Sequence, residues 1–131
     1  MARNQELHDW LVGQMKETDP FRKFANDNKY SMVTNPGNQK NVAVDQDAWP
    51  DIVVYDPSTK NDKKIGDAKR IAEVETEDTV TIDHAKGHWD TYAKRVPDFI
   101  LSVPQMSLKD ARKILAELKV TCEILDLSTQ A

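Results

Sequence analysis

The sequence predicts a mixed α/β fold, and three observations carry that expectation. Asp51-Ile52-Val53-Val54-Tyr55 and Phe99-Ile100-Leu101-Ser102-Val103 read as buried strands, amphipathic helical patterns stand at the N-terminus and between residues 77 and 118, and after residue 70 extended and helical segments alternate. At 131 residues, 39% hydrophobic and 31% charged, the chain can bury one hydrophobic core and lacks the bias of a disordered segment. Four Gly and six Pro make no linker, and no repeat is present, so residues 1–131 are expected to form a single domain.

Each element has its own signal. Leu7, Trp10, Leu11 and Met15 fall at helical spacing, with no breaker before Thr18. Asp19-Pro20 is an N-cap followed by proline at the first helical position, which predicts a short second helix carrying Phe21 and Phe24. Tyr30–Thr34 is a strand stopped by the turn residues Asn35-Pro36-Gly37-Asn38, and Asn41-Val42-Ala43-Val44 continues the meander. The run 51–55 suits a strand covered on both faces. Arg70–Thr76 is the next strand, and its period of two sets Glu73 and Glu75 on one face. Glu77-Asp78-Thr79 opens a helix to about Val96, with Ile82, Ala85, Trp89, Tyr92, Ala93 and Val96 as its stripe. After the strand 99–103, Ser107 and Asp110 start a last helix holding Leu108, Ala111, Leu115 and Leu118, and Val120, Cys122 and Ile124 alternate as a final strand.

Composition narrows the setting. Met1–Glu6 lead into no apolar leader, and no apolar run approaches the length that crosses a bilayer, so no membrane association is expected. The lone Cys122 makes no intramolecular disulfide and no cysteine zinc site, which suits a reducing cytoplasm. The net charge of −4 opposes a nucleic-acid partner overall. Locally, however, Lys60, Lys63, Lys64, Lys69 and Arg70 face only Asp62 and Asp67, a basic segment able to meet a phosphate backbone; a solvated loop explains it equally.

The acids Asp51, Glu73 and Glu75 are the candidate site. Asp51 heads an apolar strand, and the two glutamates project together from the strand expected to lie beside it. Carboxylates so close repel unless a cation sits among them, and hard oxygen ligands suit Mg²⁺ or Mn²⁺. Glutamates on an exposed edge strand would be the plain alternative.

Pro50-Asp51 followed by Glu73-Val74-Glu75, within a helix–three-strand meander–helix–strand–helix–strand order, resembles the PD-(D/E)xK nuclease superfamily with its restriction-endonuclease-like fold. The resemblance implies that Asp51, Glu73 and the main-chain carbonyl of Val74 ligate the metal. Glu75 stands where the family usually has lysine, an E-x-E form in which it serves as general base or second-metal ligand. Lys64, Lys69 and Lys86 are candidates for the missing positive charge. The implied activity is metal-dependent hydrolysis of DNA, with a homodimer as one arrangement; the alternative is a non-catalytic module of the same fold that binds nucleic acid or protein.

The helix after residue 77 adds His84 and His88 at i and i+4, on one face. Such a pair can ligate zinc, but the acid of a His-Glu-x-x-His motif is missing, so a zinc site is not expected. His88 and Tyr92 resemble the polar residue and tyrosine that flank the active site in several nucleases of this fold, whereas Trp89 reads as core. From the N-terminal helix, Glu6 is the acid best placed to join the site.

Overall fold

A computed structural model describes residues 5–35, 50–59, 68–96 and 98–126. The extended segments become β1 (Ser31–Thr34), β2 (Ile52–Tyr55), β3 (Ala68–Val74), β4 (Phe99–Val103) and β5 (Glu123–Asp126) of a five-stranded sheet in that spatial order. β1 pairs antiparallel with β2 and β2 with β3, while β3–β4 and β4–β5 are parallel. A parallel step needs a crossover. The helices α3 (Ile82–Gly87) and α4 (Trp89–Arg95) occupy the first and α5 (Leu108–Leu118) the second.

Alternation along the strands divides the core in two. Val53, Tyr55, Ile71, Phe99, Leu101 and Val103 pack with Ala85, Trp89, Tyr92 and the α5 residues Ala111, Ile114 and Leu115. On the opposite face, Ile52, Val54, Ala72, Val74 and Ile100 pack with Val12 and Met15 of α1 (Gln5–Met15) and with Phe21 and Ala25. The sheet is therefore sandwiched between helices. β2 and β4 are buried along their whole length, which is why they read as continuous apolar runs rather than alternating ones.

Several expectations need correction. Of the predicted stripe, Met15 is buried and Leu11 packs half-buried against the core, but Leu7 and Trp10 are 44% and 56% exposed, and His8 and Val12 take the inward places. The buried set also has helical spacing, turned slightly round from the predicted one, and a polar contact anchors His8 to the sheet. The second helix starts as a π-helical turn at Asp19–Lys23 before α2 (Phe24–Asn28). The long helix predicted up to Val96 is two pieces: Gly87, a poor helix former, ends α3, and the chain restarts at Trp89. The last strand begins at Glu123, not Val120, because α5 runs to Leu118 and Lys119 closes it in a left-handed conformation (φ 56°). Lys69 belongs to β3 rather than to a loop. Asn41–Val44 and the basic segment at Lys60, Lys63 and Lys64 lie outside the described residues. No helix among the described residues is long and apolar enough to cross a membrane.

Candidate functional site

The site grows from one cross-strand pair. In the β2–β3 ladder, Ile52 faces Ala72 and Val53 faces Ile71, so one further step sets Asp51 opposite Glu73. Asp51 keeps sheet geometry on its other side, where its carbonyl accepts from the Asn35 N–H at 3.1 Å. Asn35 Nδ2 also donates to the Pro50 carbonyl at 2.7 Å, turning that group toward β1. Pro50 has no N–H to offer Val74 across the ladder. The Val74 N–H donates instead to Asp51 Oδ2 at 2.8 Å. A strand N–H lies in the plane of its sheet, so the Asp51 carboxylate lies there too, at the end of β2, within reach of both helical layers.

From α1, His8 reaches that carboxylate with Nε2 3.0 Å from Asp51 Oδ2, and both side chains are buried. The other ring nitrogen, Nδ1, is 3.2 Å from Asp9 Oδ1. Gln5 Nε2, an amide donor, also lies 3.3 Å from Nδ1, whereas the ring Nε2 faces the Asp51 carboxylate and donates to it. Burial pushes the Asp51 carboxyl up, but hydrogen bonds with His8 and Glu73, the charge of His8 and the Val74 N–H together hold it below the ordinary aspartate value.

The opposite layer supplies the rest. Glu73 Oε2 lies 3.3 Å from His88 Nδ1 and 3.9 Å from His84 Nε2. The His84 Nε2 is 3.1 Å from Glu75 Oε1, which also accepts from the Trp89 indole N–H at 3.4 Å. The two imidazoles stack with centroids 4.2 Å apart and planes 16° from parallel. Tyr92 OH is 3.2 Å from His88 Nδ1, its ring edge-on to the imidazole. Thr81 fixes the start of α3 by accepting from the His84 N–H at 3.3 Å, which sets the first turn that carries His84.

The structure thus brings Asp51, Glu73, Glu75, His88 and Tyr92 together, with Val74 bonded to Asp51 through its N–H. Every histidine of the chain joins them: His8, His84 and His88. Glu6 does not; it is exposed on α1, and His8, two positions on, takes the inward place. Lys69 is four residues before Glu73 along β3, about 13 Å away at 3.3 Å per residue, too far to supply charge to the cluster. Lys86 is exposed on α3. Lys63 and Lys64 lie outside the described residues. Trp89 is core, as its spacing predicts, and its indole N–H also braces Glu75. The acid that a zinc motif on the helix of His84 and His88 would need is absent from that helix and comes instead from the neighbouring strand, as Glu73.

The donor set decides which cations suit the cluster. Mg²⁺ keeps several waters and takes oxygen ligands. Asp51 and Glu73 are only 4% and 2% exposed, which leaves them little surface toward water. The imidazoles open the cluster to solvent and add nitrogen donors, which suit borderline transition ions and leave Mn²⁺ a better fit than Mg²⁺. Comparison with protein-family models, with curated proteins and with solved structures finds no match to this chain.

Proposed function

We propose that the chain is a metal-dependent nuclease that hydrolyses DNA phosphodiester bonds at the cluster of Asp51, Glu73 and Glu75. The observation that carries the reading is the meeting of Asp51 and Glu73 across β2 and β3, with Glu75 two residues further on. The antiparallel β1–β2–β3 meander, followed by two parallel strands reached through helices, supports it as the arrangement the PD-(D/E)xK resemblance implies.

Asp51 and Glu73 would hold the cation, together with the Val74 carbonyl, which Pro50 cannot engage. When bound, a divalent cation polarises the phosphodiester and lowers the pKa of the attacking water. Glu75 is fully buried behind Trp89 and His84, so it does not meet that water directly. It holds His84 in place through the 3.1 Å contact. The positive charge that a lysine brings in the family falls here to the histidine pair, as imidazolium or through a cation it holds.

Glu73→Gln is the discriminating variant. Gln can donate to Asp51 while its oxygen accepts from His88, so the melting temperature should move by only a few degrees. Cleavage of supercoiled plasmid with Mn²⁺ or Mg²⁺ should fall by about 10²–10³-fold, the scale expected for losing one charge-stabilising group. Unchanged cleavage in the variant would remove Glu73 from the mechanism. A second reading has its own support, since burial and histidine pairing of all the acids also suit a non-catalytic binding module. Wild-type protein that cuts neither single-stranded nor duplex DNA with any of these cations would establish that reading over the nuclease.

A further inference from the structure

We propose that Glu73, His84 and His88 form a site for a borderline transition cation of the Zn²⁺ type, with Glu73 Oε2, His84 Nε2 and His88 Nδ1 as ligand atoms. The ligand set differs from the carboxylate one that the nuclease resemblance implies. It combines one strand acid with two nitrogens from the break between α3 and α4.

Spacing is the first support. Two ligands bonded at about 2.1 Å around a tetrahedral ion stand about 3.4 Å apart. Glu73 Oε2 is 3.3 Å from His88 Nδ1 and 3.9 Å from His84 Nε2, and one ligand atom from each of the three residues lies within 4.8 Å of the others. Small side-chain rotations therefore convert the hydrogen-bonded cluster into a coordination shell. The near-parallel stacking of the rings sends a nitrogen from each toward the same carboxylate oxygen.

Access is the second. The side chains of Glu73, His84 and His88 are 3%, 20% and 43% exposed, so the acid forms the floor and the histidines a rim open to solvent. Three protein ligands with one open side is the pattern of a catalytic rather than a structural zinc site, the remaining position going to water. Outer partners are also in place. Tyr92 OH lies 3.2 Å from His88 Nδ1, where its hydroxyl can donate to or accept from a metal-bound water once that nitrogen turns to the ion, and Glu75 Oε1, 3.1 Å from His84 Nε2, steadies the His84 ring from the buried side. Charge is the third. Three nearly buried acids face histidines whose positive charge requires protonation, and a dication supplies the same compensation when the rings are neutral.

The proposal deepens the metal dependence argued above, and its test needs no nucleic acid. Chelator-treated full-length protein is titrated with Zn²⁺, Mn²⁺ and Mg²⁺ by calorimetry, and Co²⁺ is added as a visible-absorption probe of nitrogen-containing, four-coordinate binding. One Zn²⁺ per chain is expected, with Mg²⁺ bound far more weakly. His88→Asn, at an exposed rim position, should weaken Zn²⁺ by more than about 100-fold and abolish the Co²⁺ spectrum while the metal-free melting temperature barely changes. His84→Asn should weaken Zn²⁺ likewise, with some loss of stability because His84 also pairs with the buried Glu75, and Asp51→Asn should keep Zn²⁺ binding. Zn²⁺ affinity unchanged in His88→Asn, or lost only in Asp51→Asn, would move the ion to the carboxylates and overturn the assignment. So would the absence of Zn²⁺ binding at micromolar concentration. Zn²⁺ bound as described with no DNA cleavage would instead sink the nuclease reading alone.

Discussion

Replacing His8 by leucine isolates the contact that ties α1 to the sheet. The two side chains are similar in volume, so the change removes donors while leaving little cavity. His8 is 1% exposed and Asp51 4%, and the Nε2–Oδ2 distance is 3.0 Å. Breaking a buried charged pair by removing one partner costs about 3–5 kcal/mol, because the other charge is stranded. The Val74 N–H still reaches Asp51 Oδ2, which places the expectation near the lower end, about 3 kcal/mol. For a chain of this length that is a fall in Tm of roughly 10–15 °C. Urea unfolding at pH 5.5 measures it, and Asp51→Asn in the His8→Leu background should recover most of the loss, since an amide leaves no stranded charge.

The pH dependence fixes the sign. In the wild type Asp51 is held below the ordinary aspartate value, so its stabilisation is present above the unfolded value near 3.9 and is lost as pH falls through the folded one. In His8→Leu the main opposing influence is gone and burial dominates, so the carboxyl titrates above its unfolded value and the variant gains stability on acidification. Between pH 5.5 and pH 4, where unfolded histidine is already protonated, the gap between the two proteins should close by up to about 1.4 kcal/mol per pH unit. A gap that widens toward pH 4, or a His8→Leu protein within about 1 kcal/mol of wild type at pH 5.5, would refute the buried-pair account.

Two further perturbations test the frame around the site. Arg70 donates from Nε to Asp98 Oδ2 at 3.0 Å and from Nη1 to the Pro20 carbonyl at 2.7 Å, with its guanidinium 3.8 Å above the Phe24 ring. Arg70→Met keeps the stem but loses these bonds and should cost about 1–3 kcal/mol in urea unfolding, with a loss below 0.5 kcal/mol marking the contacts as inert. Cys122, half-buried beside Glu123, has its thiol pushed up to about 11 by burial and by that neighbouring charge. Iodoacetamide at pH 8 should therefore alkylate the native protein far more slowly than the urea-unfolded one, and equal rates by mass spectrometry would contradict it.

The strands were legible because burial on both faces leaves a mark in sequence. Asp51–Tyr55 and Phe99–Val103 admit almost no polar residue, and the period of two put Glu73 and Glu75 on one face without further information. The burial face of α1 was legible only at its end, through Leu11 and Met15. Leu7 and Trp10 are more apolar than His8, and periodicity alone prefers them. What turns His8 inward is a carboxylate 43 positions later, a long-range contact that no local window contains. The histidine pair failed for a related reason. A motif written along one helix could not anticipate an acid arriving from β3, although the spacing of His84 and His88 already placed both rings on one face.

The location of the histidines links the site to the stability of the fold. Asp51, Glu73 and Glu75 are 4%, 2% and 0% exposed, and one uncompensated charge at such depth costs several kcal/mol, against a total of about 5–15 kcal/mol for a domain of this kind. Compensation must therefore come with folding itself. His8 brings it from the α1 layer, and His84 and His88 bring it from the layer of α3 and α4. The acids at the ends of β2 and β3 thus fasten both helical layers to the sheet, and a change at His8 perturbs the frame before it perturbs any chemistry. His88 is different. Its side chain is 43% exposed, water screens its pairing with Glu73, and an Asn amide can still donate there, so the melting temperature of His88→Asn should change little. A loss of cation binding or cleavage in His88→Asn therefore reports on the site, whereas the same loss in His8→Leu reports on the fold.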